Sequence, residues 1–548
     1  MRRRRTAALA LPVAAAVLLT GCSGSSGSSG SATTTTTKDG SVSIFGTQPE
    51  NGLLPQNTNE QGGAKVVDSI FTGLVTLNSD TSQPEMANAT SIETTDAQNF
   101  DIKIKPDWTF TDGTKVTAKS YVDAWNWGAY APNGALNNSF FSEIQGYDAL
   151  NPKDPDGKAG PLKAPTPTTK EMSGVKVVSD TEFTVKLTQP YSPWKAKIAY
   201  HVFAPLPQSF YTDPVAFGKK PVGNGPFKFV SWQDNAQIQL TRNDDYKGTK
   251  PTIKDVTIKL YQNADAAYAD LQVNNLDFMD TLPIASLSGD RYKSDLSNRS
   301  VTKPSPIVQT VTFPLYDKAY NNVDLRHAIS MAIDRDSITK VIFSGSRTPS
   351  TAYSSPAVAG YKAGVCGEFC TYDPAKAKAL FEKAGGFQGK LTLSYNADGD
   401  HKGWTEAACN NIKAALGVDC VATPVPTFAD FRKGINSKTE TGMFRSGWIY
   451  DFPNLENGLQ PLYGTGGSSN DSGYSSPAFD KALSTAAANT DLDKANAGFV
   501  DAEKVVVADM PAIPLWSSTQ IAGYSTKLST VKITAASELD LLQVTTTS

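Results

Sequence analysis

The stretch FRSGWIYDFPNLENGL, residues 444–459, sets aromatic side chains at alternate positions around a single carboxylate. The alternating aromatic residues are Trp448, Tyr450 and Phe452. The carboxylate is Asp451, and Arg445 precedes the tryptophan by three residues. A period of two is typical of a β-strand with one packed face. The pattern by itself favours such a strand, with Asp451 capping the turn at Pro453, and a ligand site is the alternative.

The amino terminus predicts export. Four arginines follow Met1, and residues 7–19 form an apolar segment too short to span a bilayer. The segment ends in LLTGC, residues 18–22, which resembles the lipobox of bacterial lipoproteins. That resemblance implies cleavage after Gly21 and a lipid on Cys22, with residues 1–21 as signal peptide. An ordinary signal peptide with a chance cysteine is the alternative.

The segment that follows predicts a tether. Residues 22–40 contain almost no apolar side chain, so they cannot form a core and should be a flexible linker. No later run of 18 or more apolar residues occurs, so we expect the body not to cross the bilayer. We therefore expect an exported protein held by its lipid on the outer face of the cell membrane, on the extracellular or periplasmic side.

The length and charge of the chain limit the number of domains and the kinds of partner we expect. About 510 residues follow the linker, which suggests two or three domains rather than one core. The chain has 51 basic and 54 acidic residues and a formal net charge of −3, without a basic stripe. Nothing in this charge pattern suggests nucleic acid as a partner.

Four cysteines besides Cys22 form an even set, which in an exported protein predicts disulfides. Cys366 and Cys370 can close a small loop, and Cys409 and Cys420 can join a helix to a strand. A zinc site is the alternative, but the spacing lacks paired CxxC motifs.

Enzyme motifs are missing from the sequence. Three histidines occur in 548 residues, with no HExxH and no GxSxG. GGFQGKL, residues 385–391, is one residue short of a phosphate loop and ends in Leu391 instead of Ser or Thr. We therefore expect no enzymatic activity, no cofactor and no metal, although a carboxylate pair for glycoside hydrolysis can never be excluded from sequence.

Several segments predict individual elements. SVSIFG (residues 41–46), FDIKIK (100–105), FTVKL (183–187) and DVTIKL (255–260) alternate as strands. A helix should follow Thr117, with Tyr121, Val122 and Trp125 inward. Another helix should span residues 323–338, and a third should begin at Asp373–Pro374 and end before Gly385.

Five phrases together resemble a known family. They are FTDGTKVTAKSYVDAWNW (residues 110–127), PVGNGPFKFVSW (221–232), DLRHAISMAIDRDSI (324–338), YDPAKAKALFEKAGG (372–386) and GWIYDFPN (447–454). In this order they look like the family 5 extracellular solute-binding proteins of ABC importers, the oligopeptide- and dipeptide-binding group. The resemblance covers the chain from about Ser41 to Trp516.

The resemblance implies an α/β fold of two hinged lobes, similar to periplasmic binding proteins of class II, cluster C type, with an extra subdomain in the first lobe. Lobe I would comprise residues 41–75, 190–262 and 512–548, and the extra subdomain residues 76–189. Lobe II would comprise residues 263–511 and contain both disulfides.

The resemblance also implies a function and a site. The protein would be a monomer that captures oligopeptides or dipeptides between its lobes and delivers them to a membrane permease. Carried over residue by residue, Asp451 would pair with the peptide's α-amino group and Arg445 with its carboxylate, while Trp448 would wall a side-chain pocket. Gln48 and Glu50, after the first strand, are further candidates for the cleft.

The same family includes proteins that bind ligands other than peptides, and these are the alternatives. Nickel, haem, oligosaccharides and opines all have family 5 binders, although the scarcity of histidine speaks mildly against metals. A receptor for signalling peptides is a second alternative, and an enzyme is the outlying one.

Overall fold

Ser41–Gly46 forms a strand near the middle of the sheet that carries the candidate site, with Val42 and Ile44 buried as its alternation predicts. The computed structural model describes residues 36–37, 39–152, 164–397, 401–426 and 428–547. Cys22, the signal peptide and most of the linker lie outside the described residues.

The strands are β1 (Thr36–Thr37), β2 (Ser41–Gly46), β3 (Val75–Leu77), β4 (Pro84–Met86), β5 (Ala89–Glu93), β6 (Asn99–Ile104), β7 (Val175–Ser179), β8 (Glu182–Lys186), β9 (Phe227–Gln233), β10 (Gln237–Arg242), β11 (Asp255–Leu260), β12 (Phe278–Met279), β13 (Ser300–Thr312), β14 (Arg347–Pro349), β15 (Leu391–Asn396), β16 (Cys420–Val425), β17 (Met443–Ile449), β18 (Ala512–Tyr524), β19 (Leu528–Thr530) and β20 (Thr545–Thr547).

The α-helices are α1 (Gln61–Ile70), α2 (Ala118–Ala129), α3 (Tyr147–Leu150), α4 (Trp194–Lys197), α5 (Pro214–Lys219), α6 (Ala264–Gln272), α7 (Ile284–Leu287), α8 (Arg291–Asp295), α9 (Val323–Met331), α10 (Arg335–Val341), α11 (Pro374–Lys383), α12 (Lys402–Leu416), α13 (Phe428–Asn436), α14 (Gln460–Tyr463), α15 (Pro477–Ala487) and α16 (Leu492–Asp509).

One mixed sheet runs through most of the described chain. Its order is β16-β15-β17-β13-β18-β12-β2-β11-β10-β9, with β14 added to β18. Strands β13 and β18 are antiparallel and 13 residues long each, and they join the two halves of the sheet. Their register shifts between Pro304, opposite Thr519, and Val308, opposite Ser517.

Helices α6 to α8 lie on the β2 side of that shift. Their buried side chains, including Tyr268, Leu271 and Tyr292, form a small separate core with Ile521 of β18. Strand β12, between α6 and α7, pairs with β2 and with the far end of β18. Residues 264–296 therefore pack with the β2 half of the sheet.

A second, four-stranded antiparallel sheet has the order β5-β6-β8-β7 and lies within residues 89–186. Helix α2 packs on it through the inward face expected from the sequence, since Tyr121 and Trp125 are fully buried against Phe183. Thr117 and Ser120 form the capping box at the start of this helix.

The expected helix over residues 323–338 is wrong in one respect, because the structure divides it. Helix α9 ends at Met331 and α10 begins at Arg335. Asp334 accepts hydrogen bonds from the amide and hydroxyl of Ser337 at 3.0 and 2.7 Å, so it starts a new helix as an N-cap. The apolar periodicity continued across the break and concealed it.

Gly223 and Gly225 in the phrase PVGNGPFKFVSW allow a close backbone approach. A Cβ on Gly223 would lie 1.9 Å from the carbonyl oxygen of Ile70, at the end of α1. The amide of Gly225 donates to the same oxygen at 2.8 Å. These glycines therefore let the segment before β9 seat directly on the end of α1.

Both expected disulfides are present. Cys366 and Cys370 are joined with a Cα–Cα distance of 5.6 Å, and Cys409 and Cys420 with 4.9 Å. The second joins α12 to the first residue of β16, which is the helix-to-strand link that the sequence predicts.

Candidate functional site

Strand β17 has one edge that is partly open. It pairs along its length with β13, from Phe444 opposite Thr312 to Ile449 opposite Ile307. Its other neighbour, β15, pairs only with Met443 and Phe444. In the part of the chain that the structure describes, no strand pairs with residues 445–449 on that second side.

The backbone of this edge points outward at alternate residues. The amide of Tyr450 donates to the carbonyl of Pro306 at 3.0 Å, across the ladder with β13. Because hydrogen-bonding groups alternate between the two sides of an antiparallel strand, those of Gly447 and Ile449 face away from β13. Ile449 is 68% exposed. The edge therefore offers main-chain donors and acceptors to an extended ligand.

Asp451 lies just beyond the end of this edge and is exposed. Its Oδ2 accepts a hydrogen bond from Nδ2 of Asn457 at 3.1 Å, and its amide donates to Oδ1 of the same asparagine at 2.9 Å. The indole Nε1 of Trp448 also donates to that Oδ1, at 3.2 Å. One buried asparagine thus fixes the carboxylate and the tryptophan relative to each other.

Asn457 is the site residue that the sequence interpretation missed. It lies in a buried 3₁₀ turn, Leu455–Gly458, within the stretch quoted at the outset. It lies six residues after Asp451, which in an extended strand would be about 20 Å away, so only the folded turn brings the two together.

Arg445 is half-buried in β17 and engaged by its neighbours. Its Nε donates to Oδ1 of Asn396, at the end of β15, at 2.8 Å, and Nη2 donates to the same oxygen. The guanidinium also lies 5.4 Å from the ring of Phe431. Asp451 lies six residues after Arg445 and two beyond the end of β17 at Ile449; six residues of extended chain span about 20 Å.

Trp448 borders a narrow pocket on the other face of the strand. The pocket is lined by residues of β13, β17, α14 and the loop after α14, including Thr310, Ser446, Leu462 and Asp471. Asp471 forms a bidentate ion pair with Arg432, at 2.6 and 3.1 Å. The only carboxylate lining this pocket within the described residues is therefore already neutralised.

Gln48 and Glu50 follow β2, as expected, but the structure joins neither to β17 by a hydrogen bond. The side chain of Gln48 bonds the turn between β9 and β10, accepting from the amide of Asn235 at 2.7 Å and donating to Asp234 at 3.2 Å. Glu50 is exposed, and no described residue forms a hydrogen bond or ion pair with it.

Residues from the segment 191–201 face the Asp451 region and had no sequence signal. The hydroxyl of Tyr191 donates to Oε2 of Glu456 at 2.5 Å, and the amide of Ser192 donates to the carbonyl of Ala487 at 2.7 Å. Burial, and less strongly the carboxylates of Asp68 and Asp451, raise the pKa of Tyr200.

Two buried glutamates have raised pKa values. Burial raises the pKa of Glu456 to about 7, against the opposing effect of the Tyr191 hydroxyl. Burial likewise raises the pKa of Glu503 to about 7, although the amide of Tyr353 donates to it at 2.7 Å.

Within the described residues, no group of three or more His, Cys, Asp and Glu side chains is arranged to hold a metal ion. His201 bonds Asp68 at 2.9 Å, and His327 is stacked on Phe369. Over the same residues, no helix has both the length and the hydropathy needed to cross a membrane.

Comparison with known proteins places this geometry in a family. Residues 82–470 match the family model described as bacterial extracellular solute-binding proteins, family 5 middle. The oligopeptide-binding protein OppA of Bacillus subtilis is 27% identical over 483 residues, 85% of each chain. Haem-binding protein A of Haemophilus influenzae is 26% identical over 325 residues, 58% of each chain.

Solved structures agree on the fold. The murein tripeptide-binding protein MppA, in its unliganded open form, superposes with a TM-score of 0.82 at 21% identity, over 94% of this chain and 98% of that one. HbpA2 of Haemophilus parasuis gives 0.79 at 18% identity, over 93% and 100%. The fold is therefore the two-lobed α/β architecture of periplasmic binding proteins, and the chain belongs to the family 5 bacterial extracellular solute-binding proteins, the substrate-binding components of ABC transporters.

Proposed function

We propose that this protein captures peptides through their free amino group and delivers them to the permease of an ABC importer. The observation that carries the proposal is the open edge of β17, which ends at a carboxylate held by Asn457. Relatives named for oligopeptide and dipeptide binding support it. The protein acts by binding and not by chemistry.

The edge of β17 and the carboxylate of Asp451 bind different parts of the peptide. Gly447 and Ile449 bond the main chain of an extended peptide, which supplies affinity without reading its sequence. Asp451 accepts a charge-assisted hydrogen bond from the peptide's ammonium group, which would otherwise be buried unpaired when the lobes close. Closure by rotation of the lobes then seals the peptide.

The spacing of Arg445 and Asp451 suggests a length preference. A peptide with its amine at Asp451 and its carboxylate near Arg445 must cover about 20 Å, and an extended chain covers about 3.3–3.6 Å per residue. A peptide of about six residues fits this distance, whereas a dipeptide reaches only the Asp451 end. We therefore propose oligopeptides as the principal ligands.

The packing of α6–α8 bears on where the chain crosses between lobes. The crossings that the resemblance implies, after residue 262 and before residue 512, stay predictions. Because residues 264–296 pack with β2, we propose that the first crossing lies at the register shift of β13, near residues 304–308. The return crossing then lies opposite, near residues 517–519 of β18.

The anchor and the oligomeric state belong to the same proposal. Lipid on Cys22 keeps a monomeric binding protein close to its permease and raises its effective concentration there. Gln48 and Glu50 stay candidates for contacts from the opposite side of the cleft.

Haem is the second ligand to consider, since one relative is named for it. The three described histidines are all engaged: His201 is paired with Asp68, His327 is buried against Phe369 and the carbonyl of Val507, and Nδ1 of His401 accepts from the indole of Trp404 at 3.1 Å. This weighs against a haem ligand. A receptor for signalling peptides would use the same site as a nutrient binder.

Native mass spectrometry of residues 38–548 tests the proposal, as purified and with mixed di- to hexapeptides. We expect peptide complexes for the wild type and their loss in Asp451→Asn. Equal retention by the variant would mean that Asp451 is not the anchor. No peptide bound to the wild type would mean that the ligand belongs to another class.

A further inference from the structure

The carboxylate of Asp451 depends on a buried turn that carries a second acid. Asn457, which bonds Asp451 and Trp448, follows Glu456 directly in the turn Leu455–Gly458. Glu456 is 5% exposed. Glu456 and the asparagine that holds Asp451 are therefore neighbours in one buried turn.

Glu456 is held by a residue of a distant segment, the one that precedes α4. Its Oε2 accepts from the hydroxyl of Tyr191, 265 residues away in sequence, at 2.5 Å, and its amide donates to Oδ1 of Asn454 at 3.0 Å. Asn454 is in turn bonded to Asn496 of α16 at 3.0 Å. The turn is thus clamped between the segment that precedes α4 and the helix α16.

Charged groups on the neighbouring elements are few. Glu143 and Lys197 form an ion pair at 2.6 Å close enough to influence Glu456, with Glu143 raising and Lys197 lowering its pKa. Burial, and after it the carboxylates of Glu456, Glu143 and Asp451, raise the pKa of Tyr191, so Glu456 and Asp451 both lie within electrostatic range of that hydroxyl.

We propose that Glu456, bonded to Tyr191 across the fold, is a proton-linked positioning residue that strengthens the hold of Asp451 on a ligand's ammonium group. This inference rests on the proposed peptide function. In its ionised form Glu456 takes a charge-assisted hydrogen bond from Tyr191, which fixes the turn that carries Asn457. In its protonated form it takes only a weaker, neutral hydrogen bond, and the turn is held less firmly.

The direction of the pH dependence follows from linkage. Because ionised Glu456 fixes the turn through which Asn457 holds Asp451, ligand binding favours the ionised form, so the pKa of Glu456 is lower in the complex than its value of about 7 in the free protein. A group whose pKa falls on binding contributes affinity in full above its free pKa, and this contribution is lost as the pH falls from that value through the lower pKa of the complex. The contribution of Glu456 to peptide affinity should therefore decrease from pH 8 to pH 5.

Calorimetric titration with hexaalanine, which has no ionisable side chain, tests this in the wild type and in Glu456→Gln. Glutamine imitates the protonated acid, so the ratio of the Kd of the variant to that of the wild type should be near one at pH 5. A pKa shift of about one unit corresponds to a ratio of about tenfold at pH 8. Taking the ratio removes the titration of the peptide's own amine.

Two further variants sharpen the test. Tyr191→Phe removes the hydrogen bond that favours ionised Glu456, so the rise in affinity should move to higher pH. Glu503→Gln is the matched control, since Glu503 is a buried acid with a similar pKa that contacts neither Asn457 nor Asp451. Its Kd ratio should stay constant with pH.

The outcomes are separable. A Glu456→Gln ratio that stays constant from pH 5 to pH 8, with hexaalanine still binding, would overturn the role of Glu456 and leave the peptide function intact. Failure of hexaalanine to bind the wild type at every pH would overturn the peptide function, and this inference with it. If Glu456→Gln does not fold, an unshifted pH profile in Tyr191→Phe overturns the inference independently.

Discussion

Acetylating the amino terminus of a peptide ligand should abolish the contribution of Asp451 without touching the protein. The carboxylate of Asp451 has about four acceptor positions, of which Asn457 Nδ2 occupies one, so it can accept from an ammonium group without breaking its own support. A hydrogen bond to a charged group contributes about 1.5–3 kcal/mol net. Each 1.4 kcal/mol is about tenfold in Kd, so acetylation should weaken binding about 10- to 150-fold.

A double-mutant cycle isolates this contact. Isothermal titration calorimetry would compare hexaalanine and N-acetyl-hexaalanine on the wild type and on Asp451→Asn. We expect a large loss on acetylation for the wild type and less than about twofold for the variant, because the partner charge is already gone. A matched control is Asp471→Asn, since Asp471 is paired with Arg432 and should leave the effect of acetylation unchanged. Equal losses on acetylation in the wild type and in Asp451→Asn would refute the assignment of Asp451 as the amine anchor.

Three other predictions concern ligand length and stability. Arg445→Met should weaken hexaalanine binding about tenfold or more but leave dialanine unchanged in calorimetry, because a dipeptide cannot reach from Asp451 to Arg445; equal effects would contradict the length argument. Replacing both Cys409 and Cys420 by serine should lower the free energy of unfolding by about 3 kcal/mol in denaturant titration, as expected for so short a loop, and an unchanged midpoint would contradict it. Gly223→Ala should lower the free energy of unfolding by about 1–3 kcal/mol in the same measurement, since its Cβ would collide with the carbonyl of Ile70. Gly113→Ala is the control for backbone strain alone, because no atom lies within 4 Å of the added Cβ but φ is +86°.

Local sequence patterns were enough to predict the strands and helices whose formation depends on residues close in sequence. The strand at residues 41–46, the helix after Thr117 and the helix after Asp373 follow from alternation and capping, which act over a few residues. The break between α9 and α10 was missed for the same reason. The apolar face continues on both sides of Asp334, so the periodicity predicts one helix. The N-cap at Asp334 takes effect only because the chain turns there and starts a second helix.

The family, the two disulfide pairings and the stretch that carries the candidate site could be predicted from the sequence. Which part of that stretch has an open backbone edge depends on the folded sheet, because β15 pairs only with Met443 and Phe444 while β13 pairs with residues 444–449 on the other edge. Only the tertiary structure brought Asn457 to Asp451 and Tyr191 to Glu456. The first pair depends on how the turn Leu455–Gly458 folds back, and the second on residues 265 positions apart. Such contacts arise when segments pack together in the folded chain, and local sequence patterns do not predict which segments meet.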